Sequence, residues 1–330
     1  MIITFFVLLN LSFLFFFDQI KIFHQILDKP DKIRKFHLLP TPLAGGVILI
    51  INIIFYSIIF LINNKIDLDY IIFKDLFKFK LFIVTCILIF LLGYIDDKYN
   101  LNPIIKLISL IIILSNLLLF DFSLNLSNIK LSFYDNTINT HQYAFFLTIF
   151  CLVVFINSFN MFDGINLQVS IYTLIIFITF LFYLKFSLLI KILIIFILLF
   201  KYLNYKNKSF LGDSGSLLLA FIIGYIFIRL YNENYILYTD EVFIYMMIPG
   251  IDMIRLFFER ISLKRNPFSN DRRHLHHYLL KKFSYSQTIF YITLLVIIPI
   301  LMNIFNVNKL LIILISLTFY FFLIKRLKII

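Results

Sequence analysis

The chain alternates long apolar runs with short polar segments. Eleven runs of about 16–20 apolar residues fall near 2–20, 43–62, 81–95, 103–120, 143–160, 168–184, 188–203, 215–231, 242–258, 286–305 and 308–324. Only Lys185–Ser187 separates the sixth run from the seventh, so ten spans is the alternative count. The runs are apolar all round, so length and not amphipathic period predicts them as helices able to cross a bilayer. An open sheet would leave backbone groups unsatisfied in lipid, which makes an all-α, polytopic membrane protein the expected fold class. The longest polar stretch, Glu259–Gln287, is too short for a separate soluble domain, so 1–330 is expected to be a single membrane domain.

Composition strengthens this picture. Hydrophobic residues make up 62% of the 330 residues and charged ones 15%, with 43 Phe and a mean hydropathy of +0.97. A soluble enzyme, a DNA-binding module, a coiled coil and a disordered chain are all poor fits to such numbers. The run Ile2–Phe17 has no positive charge ahead of it and no small-residue cleavage site behind it, so it reads as a retained first span. Cys86 and Cys151 both lie in apolar runs and are expected to be two small buried hydrophobes, not a disulfide framework.

The net charge of +12 sets sidedness. Numbering the loops alternately puts 21 of the 30 Lys and Arg on the side that includes 21–35, 259–282 and the C-terminal basic residues. By the positive-inside rule that side is cytoplasmic, with the N-terminus outside and the C-terminus inside. The basic residues are scattered among apolar spans, which argues for lipid headgroups and against nucleic acid.

Five polar clusters then fall on the cytoplasmic side: Arg34 to His37; Asp96-Asp97; Asn157, Asn160, Asp163 and Asn166; Lys208, Asp213 and Ser214; and Asp271 to His277. One Asp alone reads as a helix-end residue facing water. Adjacent carboxylates at a membrane-buried helix end are costly unless something cationic shares the site. Asp96, Asp97, Asp163 and Asp213 together could hold Mg²⁺, which prefers oxygen ligands and bridges carboxylates to substrate phosphates. His274, His276 and His277 suggest either a Zn site or an anion site, and the adjoining Arg272 and Arg273 favour a phosphate or pyrophosphate. Gly212-Asp213-Ser214-Gly215 opens the eighth run, where backbone N–H groups at a helix start can approach a phosphate. Gly45-Gly46 is a weak signal, readable as close helix packing. No Gly-Lys-Ser/Thr loop is present, which argues against ATP hydrolysis. These parts suit phosphoryl transfer between a lipid and a cytoplasmic substrate.

Six segments, in order, resemble a known family. They are Asp28-Lys-Pro-Asp-Lys-Ile-Arg-Lys-Phe-His37, Pro40-Thr-Pro-Leu-Ala-Gly-Gly46, Gly93-Tyr-Ile-Asp-Asp97, Asn157-Ser-Phe-Asn-Met-Phe-Asp-Gly164, Phe210-Leu-Gly-Asp-Ser-Gly-Ser216 and Asn266-Pro-Phe-Ser-Asn-Asp-Arg-Arg-His-Leu-His-His277. Together, across 28–280, they are similar to the polyprenyl-phosphate N-acetylhexosamine-1-phosphate transferases, the WecA/MraY superfamily of glycosyltransferase family 4. The resemblance implies transfer of a sugar 1-phosphate from a UDP-N-acetylhexosamine to undecaprenyl phosphate, with Mg²⁺ or Mn²⁺, releasing UMP and initiating a cell-surface glycan such as an O-antigen. It implies a multi-pass protein of the bacterial cytoplasmic membrane with its active site on the inner face. Asp96, Asp97 and Asp213 would be catalytic, one of the first two as the base acting on the lipid phosphate. Asp213 and Asp163 would hold the metal. Asn157, Asn160, Asp163 and Asn166 would line the nucleoside region, with Phe210 stacking on uracil. Arg272, His274, His276 and His277 would grip the phosphates, and Lys106, Arg34 and His37 would complete the substrate site. The family includes dimers, which leaves a homodimer open.

His-Leu-His-His after Asp-Arg looks like the WecA branch, not the unbroken His triplet of the MraY branch, which makes the peptidoglycan precursor the alternative substrate. Where the family usually reads Asp-Gly-x-Asp-Gly, this chain has Asp163-Gly164-Ile165-Asn166-Leu167. A carboxamide can still accept the uracil N3–H and donate to O4. That substitution motivates a non-catalytic relative as a competing reading, and the intramembrane acids motivate a transporter.

Overall fold

The structure is a computed structural model in which residues 1–30, 39–63, 66–266 and 272–328 are described. Arg34, His37 and Asp271 lie outside the described residues. The chain is mostly helical. In order run α1 (Ile2–Phe15), β1 (Leu27–Asp28), β2 (Thr41–Pro42), α2 (Gly45–Asn63), α3 (Ile66–Phe73), α4 (Leu76–Tyr99) and α5 (Pro103–Phe120). Then come β3 (Asn128–Leu131), β4 (Tyr134–Asn139), α6 (Ala144–Phe162), α7 (Gln168–Tyr183), α8 (Leu188–Tyr205) and α9 (Gly212–Asn232). The chain finishes with α10 (Thr239–Ser262), α11 (Leu275–Leu280), α12 (Tyr285–Ile304) and α13 (Lys309–Lys328).

Each of the eleven apolar runs is a helix. Among the described residues, eight of these helices are long and apolar enough to cross a membrane. The other three fall short for identifiable reasons: α1 and α7 have 14 and 16 residues, and α10 carries six charged residues from Asp240 to Arg260.

Helix ends follow local chemistry. The Asp75 side chain caps α4 by accepting from the Lys78 N–H at 2.8 Å, and α4 stops at Asn100 in a left-handed conformation. Asn102 caps α5 with Pro103 as its first residue, and Ser284 with Gln287 forms a capping box at α12.

Helix α9 is the axis of the molecule. It is buried over its whole apolar length, whereas α5 and α13 turn most of their surface outward. A helix apolar on every face must be surrounded, and α2, α4 and α6 do this. At Gly93, α4 meets the start of α9 backbone to backbone. A Cβ there would stand 2.5 Å from Ser214 Cα, so only glycine allows the crossing. The Gly45-Gly46 pair does permit close packing, against Phe200, Leu211 and Ser214. At the other end of α9, the fully buried Arg229 donates to Asp121 and, at 2.6 Å, to Ser123 Oγ. This pairing offsets the cost of an intramembrane charge.

Two small hairpins were not anticipated in the polar segments. In the first, β1 pairs antiparallel with β2, Leu27 opposite Pro42. In the second, β3 pairs with β4, Ile129 opposite Ile138. The free edge of β3 is occupied by side chains: Tyr231 donates to Asn128 O, and Thr239 donates to Lys130 O. Of the cysteines, Cys86 is buried as expected, but Cys151 is exposed on the outer surface of α6. A small apolar residue there faces outward without cost where the surroundings are lipid.

Candidate active site

Four helices end or begin at one point, and each brings a polar side chain to it. Asp96 and Asp97 close α4, Lys106 opens α5, Asn160 ends α6 and Asp213 opens α9. Lys106 Nζ donates to Asp96 Oδ2 at 2.8 Å and also to Asp213 Oδ2. Asn160 Nδ2 donates to Asp213 Oδ1 at 2.9 Å and to Ser216 Oγ at 2.8 Å. Asp96 is fixed further by the Leu101 N–H, at 2.8 Å from its Oδ1.

Asp97 takes a different role from its neighbour. Its two oxygens accept the backbone N–H groups of Asp213 and Ser214 at 2.7 and 3.0 Å. These are free donors at a helix start, where the dipole favours an anion. Gly212, with φ +72°, lets the chain enter the helix this way, and a Cβ there would reach 2.7 Å from Asp97 Oδ2. The expectation that these amides face a phosphate is therefore corrected: the anion on them is Asp97, because Gly93 brings the end of α4 onto the start of α9.

Asp163 lies just past α6, half-buried. Burial and the nearby Asp213 and Asp97 carboxylates push its acid up to about 7. Four carboxyl groups thus share this region with one lysine. The donors are oxygen atoms, as Mg²⁺ requires. Among the described residues no three His, Cys, Asp or Glu side chains gather closely enough to hold a metal by themselves. Asp213 and Asp163 are near enough to interact electrostatically, and two carboxylates completed by substrate phosphates is the usual form of a Mg²⁺ site.

The other expected residues form two neighbouring groups. Asn166 lies in a carboxamide triad: its Nδ2 donates to Asn207 Oδ1 at 2.5 Å, and its Oδ1 accepts from Asn204 Nδ2 at 3.3 Å. Asn204 also accepts the Leu167 N–H and donates to Ser209 O, so the triad ties the 163–167 turn to the 204–209 turn. Phe210 is half-buried beside that joint, its N–H donating to Pro42 O. Asn157 Nδ2 donates to Val153 O, one turn back in its own helix, and is not drawn into the carboxylate cluster.

His274, His276 and His277 form one cluster of rings, the first two stacked and His277 tilted against them. The first two rings are 5.4 Å apart and within 10° of parallel, and the His276–His277 centroids are 4.3 Å apart. His276 lies against Gly164, where a Cβ would come within 2.1 Å of its ring. The histidine segment therefore abuts the Asp163 turn. Burial, and then the neighbouring His274 and His277, hold the His276 pKa well below its ordinary value, so this ring is neutral at pH 7. Arg272 is exposed at the edge of the segment.

Sequence reasoning passed over Asp252 and Arg255, which hold the histidine segment from α10. The signal was present: an acid and a base three residues apart inside an apolar run are expensive unless they have a purpose. Asn204 carried no comparable signal.

Fold and site define a class: a polytopic helical membrane protein with an acid-rich, single-lysine centre where four helix termini meet. Residues 79–231 match the model of the family described as Glycosyl transferase family 4. The undecaprenyl-phosphate alpha-N-acetylglucosaminyl 1-phosphate transferase of Yersinia pestis is 25% identical over 287 residues, covering 83% of this chain and 74% of that protein. The protein of the same name from Escherichia coli K12 is 26% identical over 283 residues, covering 82% and 73%. That from Thermotoga maritima is 27% identical over 261 residues, covering 78% and 74%. Over residues 79–231 the chain is thus similar to the family 4 glycosyl transferases. The matched stretch holds every residue of the carboxylate cluster and stops before the histidine segment.

Proposed function

We propose that the chain transfers N-acetylglucosamine 1-phosphate, or a related N-acetylhexosamine 1-phosphate, from its UDP-sugar to undecaprenyl phosphate, releasing UMP. The observation that carries this reading is the meeting of Asp96, Asp97, Lys106, Asn160 and Asp213 at one shared helix end. The names of the relatives supply the substrates. In the reaction an oxygen of the lipid phosphate bonds to the phosphorus that bears the sugar, and the bond from that phosphorus to UMP breaks.

The chain's own residues divide the work. Asp96 would accept the proton of the lipid phosphate, and Lys106, released from the carboxylate that this neutralises, would then pair with the phosphate anion that forms. Lys106 offsets charge between Asp96 and Asp213 and is a ready partner for an incoming phosphate. Asp97 keeps the start of α9 in place and so fixes Asp213. Asp213 and Asp163 would hold Mg²⁺, which when bound neutralises the diphosphate and stabilises the departing UMP. Asn166 offers uracil an amide only by exchanging its bonds to Asn204 and Asn207. The excess of Lys and Arg supports placing this centre on the cytoplasmic face, with the N-terminus outside and the C-terminus inside. An inner-face site admits the lipid from the bilayer and the nucleotide from water.

The test is purified protein incubated with UDP-N-acetylglucosamine, undecaprenyl phosphate and Mg²⁺. UMP should appear together with a lipid heavier by one N-acetylhexosamine phosphate, read by mass spectrometry, and neither should form without the lipid acceptor. A panel of other UDP-sugars identifies the preferred donor. No turnover with any donor would favour a non-catalytic relative, and uptake of UDP-sugar into proteoliposomes without UMP would favour a transporter.

A further inference from the structure

Asp252, midway along α10, is 4% exposed and takes no part in the cluster described above. Four donors converge on its carboxylate from three elements. Arg255 donates from the same helix at 2.8 Å, the Tyr320 hydroxyl from α13 at 2.6 Å, the Leu275 backbone N–H at the start of α11 at 3.2 Å, and His274 Nδ1 at 3.1 Å. A carboxylate that receives an arginine, a hydroxyl and a backbone amide has no proton to give. The bond to His274 therefore needs the imidazole proton on Nδ1, which leaves Nε2 as the ring's other functional atom.

The anchors are themselves anchored. Arg255 Nε donates to the Tyr320 hydroxyl at 2.9 Å, and its two terminal nitrogens reach Glu259 and the Arg273 carbonyl. Outward from Asp252 the order is continuous: His274 stacks on His276, and His276 rests on Gly164 beside Asp163. Rotation of the His274 ring would break this stack.

We propose that Asp252 is a positioning residue for the transfer reaction, acting through His274 by fixing its Nδ1–H tautomer and so aiming the Nε2 lone pair to accept a hydrogen bond from a hydroxyl or the amide N–H of the UDP-sugar's N-acetylhexosamine. This rests on the function proposed above. Asp252 touches no substrate itself. It does for the histidine what a second ligand-orienting carboxylate does in many sites: it sets which nitrogen is free and where it points.

The experiment is a double-mutant cycle on the purified full chain, using UMP release from UDP-N-acetylglucosamine with undecaprenyl phosphate and Mg²⁺. Asp252→Asn keeps the shape but offers no charge. It should lower kcat/KM at least tenfold, and the double variant Asp252→Asn/His274→Gln should be no more than twofold worse than His274→Gln alone. A merely structural role would instead multiply the two losses. Should Asp252→Asn not yield monodisperse protein, Tyr320→Phe is read in its place; it removes one anchor, and its severalfold loss should vanish in the His274→Gln background. If His274→Gln is too slow to follow, the cycle is run on equilibrium binding of UDP-N-acetylglucosamine. Asp252→Asn within twofold of the wild type, or effects that multiply, overturns the inference. A wild-type protein that releases no UMP overturns the underlying functional reading instead.

Discussion

Among the described residues, Lys106 is the only cation hydrogen-bonded to the Asp96 and Asp213 carboxylates, which would otherwise repel across the space it fills. Replacing it with Met removes the positive charge and keeps the stem. UMP release should fall on the order of a hundredfold, the usual cost of losing one preorganised electrostatic contact in a reaction centre. Steady-state kinetics of the Lys106→Met variant checks this, and a loss under threefold would remove Lys106 from the centre. His276 gives a prediction of another kind. Its folded pKa lies below that of the unfolded chain, near 6.5, so between the two the unfolded state binds a proton that the folded state refuses. The stability it contributes is complete above about pH 6.5 and is lost as the pH falls toward the folded pKa. The melting temperature should therefore drop from pH 7.5 to 5.5, and the drop should be smaller in His276→Asn. Equal slopes for the two proteins would mean the ring is not held neutral.

Among elements, the contact between α4 and α9 matters most, because it carries three of the four acids. Gly93 is what lets it form. Gly93→Ala should push the helices apart, costing about 1–3 kcal/mol and more in activity than in stability, since Asp97 would lose the amides of Asp213 and Ser214. Parallel measurement of unfolding and kcat decides whether those two losses differ. This contact was only partly legible in the sequence. The helices themselves were, because runs of 16 or more apolar residues have no other stable form in lipid. That acids from separate runs would matter together was legible too, from their common side of the membrane. What stayed hidden was pairing at the ångström scale. Nothing in Gly212–Gly215 says that its amides will take Asp97 and not a substrate phosphate, because that depends on how closely Gly93 lets α4 approach. The β3–β4 hairpin was hidden because its strands pair with each other and with Tyr231 and Thr239, partners distant in the chain. Asp252 was legible but passed over, since it lies inside an apolar run with Arg255 three residues on and outside the five polar clusters.

At the scale of the molecule, α9 is a fully enclosed apolar post with a buried Arg229–Asp121 pair near one end and the carboxylate cluster at the other. The positive-inside rule predicts that the carboxylate end faces the cytoplasm and the Arg229 end the opposite compartment. In a Cys151→Ser background, Asn136→Cys on β4 should react with a membrane-impermeant maleimide on intact spheroplasts. Arg265→Cys, after α10, should react only once the membrane is opened. Mass-tagging on gels reads both, and the reverse pattern would put the site on the outer face, away from any nucleotide sugar.

The central claim is that the four helix ends build a reaction centre around Asp213. Its most direct test is the rate of lipid-dependent UMP release by Asp213→Asn, a change of one charge with almost no change in shape. The rate should fall by more than about a hundredfold while the protein stays folded. Turnover close to that of the unaltered chain would contradict the account.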